Sequence, residues 1–189
     1  MKKIVGTQFN GRNTHYISLS GMTLALCVLS LMIFRGPLSL LQALIIPMVV
    51  AIMTLKQPWK YTVSAGISLL ILTLTFFVTQ TVFMIIYLMM AYFLLILVTK
   101  LQRESRRYYL LIIPYVIVNA LLLYLGLRLT DIIFQTPLHA MMLKLSSDNN
   151  FLYASIMAIE STFISTFHLL IVSNVYRRQS KIKRITTGI

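Results

Sequence analysis

This chain contains six apolar segments, and its basic residues lie almost entirely in the termini and in every second connection between the segments. The segments lie near residues 17–34, 37–55, 61–79, 82–99, 108–130 and 151–174. If each segment crosses a membrane, 14 of the 17 lysines and arginines lie on the same side. Only Arg35, Arg128 and Lys144 lie on the other side. Because cytoplasmic loops retain positive charge, we expect an all-α integral membrane protein with six transmembrane helices and both termini cytoplasmic.

The composition supports this interpretation. Hydrophobic residues make up 58% of the chain and charged residues 11%, which is untypical of a soluble globular domain. Six spans of about 20 residues use most of the chain, so we expect one six-helix membrane domain over residues 1–189. The formal net charge of +13 follows from the basic loops, and we expect no nucleic-acid partner. We expect a multi-pass protein of a bacterial cell membrane, with the lipid bilayer as its first partner.

The boundary between the third and fourth segments is the least marked one. Residues 61–99 carry no charge, and as one helix they would extend about 58 Å, too long for a single crossing of a core about 30 Å thick. We place the break at residues 79–81, the most polar triplet available. A second local expectation is a short interfacial helix at 138–145, in the loop before the last segment.

Glu160 is the only acidic residue within a predicted span. Ionisable groups inside a membrane are costly and usually face a partner or a water-filled cavity. At 100° per residue, Glu160, Ser161, Ser165 and His168 share one arc of their helix, so this face should point inward. Glu160 either binds a ligand or forms a structural hydrogen bond. For His168 we favour a structural role, through water or backbone carbonyls.

Asn119 lies at mid-depth in the fifth segment, at the level estimated for Glu160. Tyr115 and Gly126 share its helical face, and glycine there permits close helix approach or leaves space for a ligand. Asn119 and Glu160 would therefore line one cavity, or Asn119 forms an ordinary interhelical hydrogen bond.

Three residues near the outer side have two interpretations each. Arg35 and Arg128 either extend to the membrane interface or bind an anionic group at the mouth of a pocket. Tyr124 belongs either to an interfacial aromatic belt or to the wall of that pocket.

Motifs of enzymes are missing from the sequence. There is no metalloprotease helix motif, no phosphate-binding glycine-rich loop and no nucleophile elbow. The single cysteine, Cys27, is expected to be a packing residue. We therefore expect no enzymatic activity, no catalytic residue, no metal and no cofactor.

Gly21 and Ala25 lie four residues apart on the first helix and form a small-xxx-small pair. Together with the six-helix outline, the stretch 18–30 resembles the substrate-binding S components of energy-coupling factor (ECF) transporters. The stretch from Gly21 to about Lys100 also resembles a poorly characterised membrane family related to that fold. The resemblance implies that Gly21 and Ala25 contact a transmembrane coupling subunit, which works with an ATPase pair.

The same resemblance implies a binding site for a small, vitamin-like molecule near the outer side. Its residues would be Glu160, Asn119, Tyr124 and Arg35. The leading hypothesis is therefore substrate capture for an ABC-type importer, without chemistry by this chain. A non-catalytic membrane scaffold or immunity protein that recruits a partner is the alternative, and an intramembrane enzyme is a third.

Overall fold

The computed structural model describes residues 11–34, 39–101, 112–147 and 149–187. Within these ranges the chain is helical and contains no strand, so the predicted all-α class is confirmed. The α-helices are α1 (Gly11–Ile33), α2 (Ser39–Lys56), α3 (Trp59–Phe76), α4 (Thr81–Leu101), α5 (Ile112–Phe134), α6 (Leu138–Leu145) and α7 (Asn150–Thr187).

Five of these helices are long and apolar enough to cross a membrane: α1, α3, α4, α5 and α7. This property is compatible with a multi-pass membrane protein. The second predicted span corresponds to α2, whose apolar part, Leu41–Lys56, is shorter than the other five.

Helix α2 is the centre of the bundle. It packs against α1, α3, α4 and α7, and each residue from 41 to 55 is buried or half-buried. Ala43, Ile46 and Ala51 are at most 1% exposed. A helix that is apolar on all sides either is enclosed by other helices or faces lipid, and the burial of these residues shows that α2 is enclosed.

The predicted break between the third and fourth spans is confirmed, slightly earlier than expected. Helix α3 ends at Phe76, and the next residue, Phe77, leaves the helical region with a φ of −139° and a ψ of 52°. A single 3-10 turn, Val78–Gln80, follows, and α4 begins at Thr81. The Gln80 backbone N–H donates to the Phe77 carbonyl oxygen at 2.8 Å. The turn therefore supplies a backbone hydrogen bond where the helical hydrogen bonding is interrupted.

Helix α6 also forms where a short helix was expected, over Leu138–Leu145. Its first turn is held by the Asp131 carboxylate, which accepts hydrogen bonds from the Leu138 and His139 amides at 2.9 Å each. Residues with positive φ flank the helix, Gln135 at 52° and Ser147 at 53°. An acidic side chain at a helix N-terminus stabilises it, and here it attaches α6 to the end of α5.

Helices α4 and α5 approach closely at Gly126. A Cβ at this position would lie 2.7 Å from Ile86 Cδ1 and 3.0 Å from the Phe83 ring. The space beside this glycine is therefore filled by side chains of α4 and is not left open for a ligand.

Candidate functional site between α5 and α7

Polar side chains meet where α5 packs against α7. Tyr115 and Asn119 on α5 are at most 1% exposed, as are Ser161, Ser165 and His168 on α7. Of the inward face predicted for the last helix, Ser161, Ser165 and His168 are buried, whereas Glu160 is half-buried. We refer to Asn119, Ser161, Ser165, Glu160 and Tyr153 as the polar centre, and to Tyr115 and His168 as the anchor beside it.

The anchor is fully hydrogen-bonded. His168 Nε2 lies 2.8 Å from the Leu44 carbonyl oxygen on α2. Because a carbonyl only accepts, Nε2 must carry the hydrogen. In the neutral imidazole Nδ1 is then an acceptor, and the Tyr115 hydroxyl, 3.0 Å away, donates to it. One imidazole thus connects α2, α5 and α7.

Pro47 interrupts the backbone hydrogen bonding of α2 next to this contact. Proline has no N–H, so the carbonyl four residues earlier, that of Ala43, loses its helical partner. The His168 ring hydrogen-bonds at this point of the backbone, to Leu44 and within reach of Ala43. Proline is tolerated in membrane helices when a neighbouring helix satisfies the freed groups. His168 therefore has the structural role that we favoured.

The polar centre, in contrast, is only partly hydrogen-bonded. Asn119 Nδ2 donates to Ser165 Oγ at 2.8 Å. Buried atoms without a hydrogen-bond partner among the described residues include Asn119 Oδ1, Ser161 Oγ and Tyr153 Oη. Ser161 stands one turn, about 6 Å, from Ser165 on the same helix.

Ser161 differs from most hydroxyl residues of this protein. Several others donate to the carbonyl four residues back in their own helix, as side chains in membrane helices commonly do: Thr23, Ser30, Thr54, Thr73, Ser155 and Thr162. The Ser161 hydroxyl forms no such bond and is fully buried. Its hydrogen-bonding capacity is therefore free for another group.

Glu160 lies beside this centre and is half-buried. Glu160 lies seven residues, about two helical turns, from Tyr153 on the same side of α7. The direct Asn119–Glu160 pair that we considered is not formed, because Asn119 donates to Ser165, five residues further along α7. The two predicted residues thus share a region but are not hydrogen-bonded to each other.

An aromatic cluster lies on the N-terminal side of Glu160 along α7. The His139 ring contacts Tyr124 with centroids 5.9 Å apart and Tyr153 with centroids 5.4 Å apart, both edge-on. Arg128 Nε donates to the Tyr124 hydroxyl at 3.1 Å. Sequence reasoning did not select Tyr153 or His139. The predicted helix at 138–145 was the available signal, because it places His139 near the C-terminal end of α5 and the N-terminal end of α7.

The remaining predicted residues lie elsewhere. Arg35 is outside the described residues. Gly21 and Ala25 are exposed on α1, and a Cβ at Gly21 would meet no atom within 4 Å. Within the described part of the chain, no other helix covers this pair. Cys27 is fully buried, in agreement with the expected packing role.

The described part of the chain is all-helical, and its long apolar helices are compatible with a multi-pass membrane protein. It encloses a polar centre in which some buried oxygen atoms have no hydrogen-bond partner. Comparison of the chain with protein-family models, curated proteins and solved structures returns no match. Across the described ranges, no group of three or more His, Cys, Asp or Glu residues is placed to hold a metal ion.

Proposed function

We propose that this protein is a membrane-embedded substrate-binding subunit, similar in role to the S components of ECF-type importers. In this proposal six helices, including the short α2, span the membrane, and both termini are cytoplasmic. The ligand is a small, vitamin-like molecule that enters from the outer side. Glu160 and Asn119 contact it directly, while Tyr124 and Arg35 lie at the mouth.

The unpartnered oxygens of the polar centre carry the proposal. Buried polar atoms in proteins are nearly always hydrogen-bonded, and each orphan costs about 1–3 kcal/mol. Asn119 Oδ1, Ser161 Oγ and Tyr153 Oη are three such atoms on facing helices. A bound ligand that hydrogen-bonds to them would remove this cost, so the arrangement is suited to binding.

The surface of α1 fits the second part of the proposal. Helices associate in lipid through small residues that allow close backbone approach. Gly21 and Ala25 are exposed and lie on a helix other than those that form the polar centre. A coupling subunit could therefore bind α1 without disturbing the ligand.

Native mass spectrometry of the protein, gently extracted from its own membrane, tests the proposal. We expect a small molecule bound to the wild-type chain and absent from Glu160→Gln. We also expect a membrane subunit and an ATPase pair in milder extracts. A chain that carries no small molecule in any extract would contradict the binding role.

A membrane scaffold or immunity protein is the second candidate, and the anchor favours it. Tyr115 and His168 are fully hydrogen-bonded and hold three helices together, which shows that buried polar groups in this chain can be structural. If the polar centre is structural too, Glu160→Gln should lower the melting temperature and leave every co-purifying partner in place.

A further inference from the structure

Helix α6 lies across the junction of α5 and α7, next to Tyr153 of the polar centre. Its backbone approaches these two helices and no other described helix. The half-buried side of α6 consists of Leu138, His139, Met142 and Leu143. The opposite side points away from the protein, and Met141 on it is 57% exposed. A short helix with few buried contacts can leave its position at low cost while the rest of the fold stays intact.

The His139 ring separates a buried tyrosine from an exposed one. Tyr153 is 8% exposed and Tyr124 is 38% exposed. The imidazole contacts both rings edge-on, with centroids 5.4 Å from Tyr153 and 5.9 Å from Tyr124. Behind it, Tyr153 Oη is buried without a hydrogen-bond partner among the described residues. His139 therefore fills the gap between α5 and α7 at the position where this hydroxyl would otherwise be open to the surface.

Asp131 holds the first turn of α6 in this position. Its carboxylate accepts hydrogen bonds from the backbone N–H groups of Leu138 and His139 at 2.9 Å each, and from the Thr136 hydroxyl at 3.2 Å. Hydrogen bonds to an ionised group are stronger than those between neutral groups. Since Asp131 belongs to α5, one side chain attaches the start of α6 to its neighbour.

Strained residues mark both ends of the segment that contains α6. Among the described residues other than glycine, only Gln135 and Ser147 have positive φ, at 52° and 53°. The left-handed conformation is costly for a residue with a Cβ and persists only where the surrounding structure holds it. Mobile covers of binding sites turn about a few loop residues that absorb the change in φ and ψ. Gln135 and Ser147 are placed to act in this way.

We infer that α6 is a lid that controls access to the polar centre between α5 and α7. The structure shows the lid closed. Asp131 holds it in place, His139 fills the gap beside Tyr153, and Gln135 and Ser147 are the hinges. The inference rests on the proposed binding role and adds how a ligand enters and leaves: the lid opens before either step.

Thiol labelling of the purified protein in detergent tests the inference. Ser161→Cys in a Cys27→Ala background places a single thiol in the polar centre. The probe is trimethylammonium-ethyl methanethiosulfonate, a charged reagent that stays in water, and intact mass gives the labelling rate. Asp131→Asn removes one of the two carboxylate oxygens that accept from α6, and His139→Ala removes the ring from the gap. We expect each to raise the rate about tenfold, because each removes a contact of the closed lid.

Two controls separate opening of the lid from general loosening of the bundle. Ser173→Cys places the thiol at another buried position further along α7, away from α6, and its labelling rate should not change in either lid variant. Met141→Ala alters an exposed residue of α6 and should leave the rate at position 161 unchanged. An unaltered rate at position 161 in both lid variants, or an equal rise at positions 161 and 173, would overturn the assignment of α6 as a lid.

The native extract reports on the binding role separately. A bound small molecule, together with a labelling rate that ignores the lid variants, would remove the lid and leave the binding role intact. Labelling that follows the lid variants, together with an extract free of small molecules, would remove the binding role and leave α6 as a movable cover of the polar centre.

Discussion

His168 Nε2 donates to the Leu44 carbonyl across 2.8 Å, three residues before Pro47. The contact places a side-chain donor next to the Ala43 carbonyl, which lacks its helical donor because residue 47 is proline. A proline in the central helix and a histidine in the last one are therefore parts of one structural unit.

If His168 and Pro47 act together, the effects of their substitutions on stability should not be additive. His168→Ala should lower the free energy of unfolding by about 2 kcal/mol, because the bonds of the imidazole to the Leu44 carbonyl and the Tyr115 hydroxyl are both lost. In a Pro47→Ala background the loss should be smaller, since the neighbouring Ala43 carbonyl then has a backbone N–H donor and the helix no longer depends on a side chain at this point. Thermal unfolding in detergent measures both. Leu170→Ala, at an exposed position on the same helix, is the control. Strictly additive losses would show that the two residues act independently.

Ser161 and Ser165 form a matched pair for separating binding from structure. Both are fully buried on α7, one turn apart, but only Ser165 has a partner. Ser165→Ala should destabilise the protein by about 1 kcal/mol, because Asn119 loses its acceptor. Ser161→Ala should leave stability unchanged or raise it, because an unsatisfied group is removed, and it should weaken ligand binding. The reverse order of melting temperatures would contradict this assignment.

Gly126 should tolerate little added volume. Gly126→Val places atoms against Ile86 and Phe83, where even a Cβ is too close. Overpacking of this kind costs about 1–3 kcal/mol, which we expect as a lower Tm in detergent. Gly66→Val is the matched control, because a Cβ at Gly66 meets nothing within 4 Å. Equal melting temperatures for the two variants would mean that α4 and α5 separate without cost.

Topology can be tested by cysteine labelling in a Cys27→Ala background. Ser147→Cys should react with an impermeant maleimide added to intact cells, because the proposed orientation places it outside. Glu104→Cys should react only after permeabilisation, since its loop holds part of the basic charge that remains cytoplasmic. Reaction at position 104 in intact cells would reverse the proposed orientation.

If α1 binds a coupling subunit, bulky substitutions at Gly21 or Ala25 should prevent assembly of the complex and leave folding of this chain intact. Gly21→Leu and Ala25→Leu add volume on an exposed surface, so Tm and ligand binding should not change. A partner helix that approaches through small residues should be displaced, and the co-purified complex should disappear. Gly66→Leu, at a glycine equally free of neighbours on α3, should assemble normally. Normal assembly of both α1 variants would exclude this surface as the contact.

The sequence predicted which side chains share a helical face better than it predicted their hydrogen-bond partners. A period of 3.6 residues places Ser161, Ser165 and His168 on one inward face, and the structure agrees. The helical period does not determine the position of one helix along the axis of its neighbour. For this reason Asn119 was matched to Glu160 by estimated depth, whereas the packing of α5 on α7 sets it against Ser165.

Hydropathy also located spans better than helix ends. The last apolar segment was expected to end near residue 174, but α7 continues to Thr187. Likewise α1 begins at Gly11, ahead of the apolar run expected from residue 17. Hydropathy reports which residues can lie in lipid, whereas backbone hydrogen bonds continue along a helix into water.

The link between Leu44 and His168 also has a consequence for how the protein is made. The two residues are 124 positions apart, so the ribosome delivers α2 long before the histidine that bonds to its backbone. During that interval α1, α3 and α4 can already pack against the central helix, but its contacts with α7 are missing. Arrival of the last helix therefore closes the bundle, and chains truncated before α7 should be targets for membrane quality control.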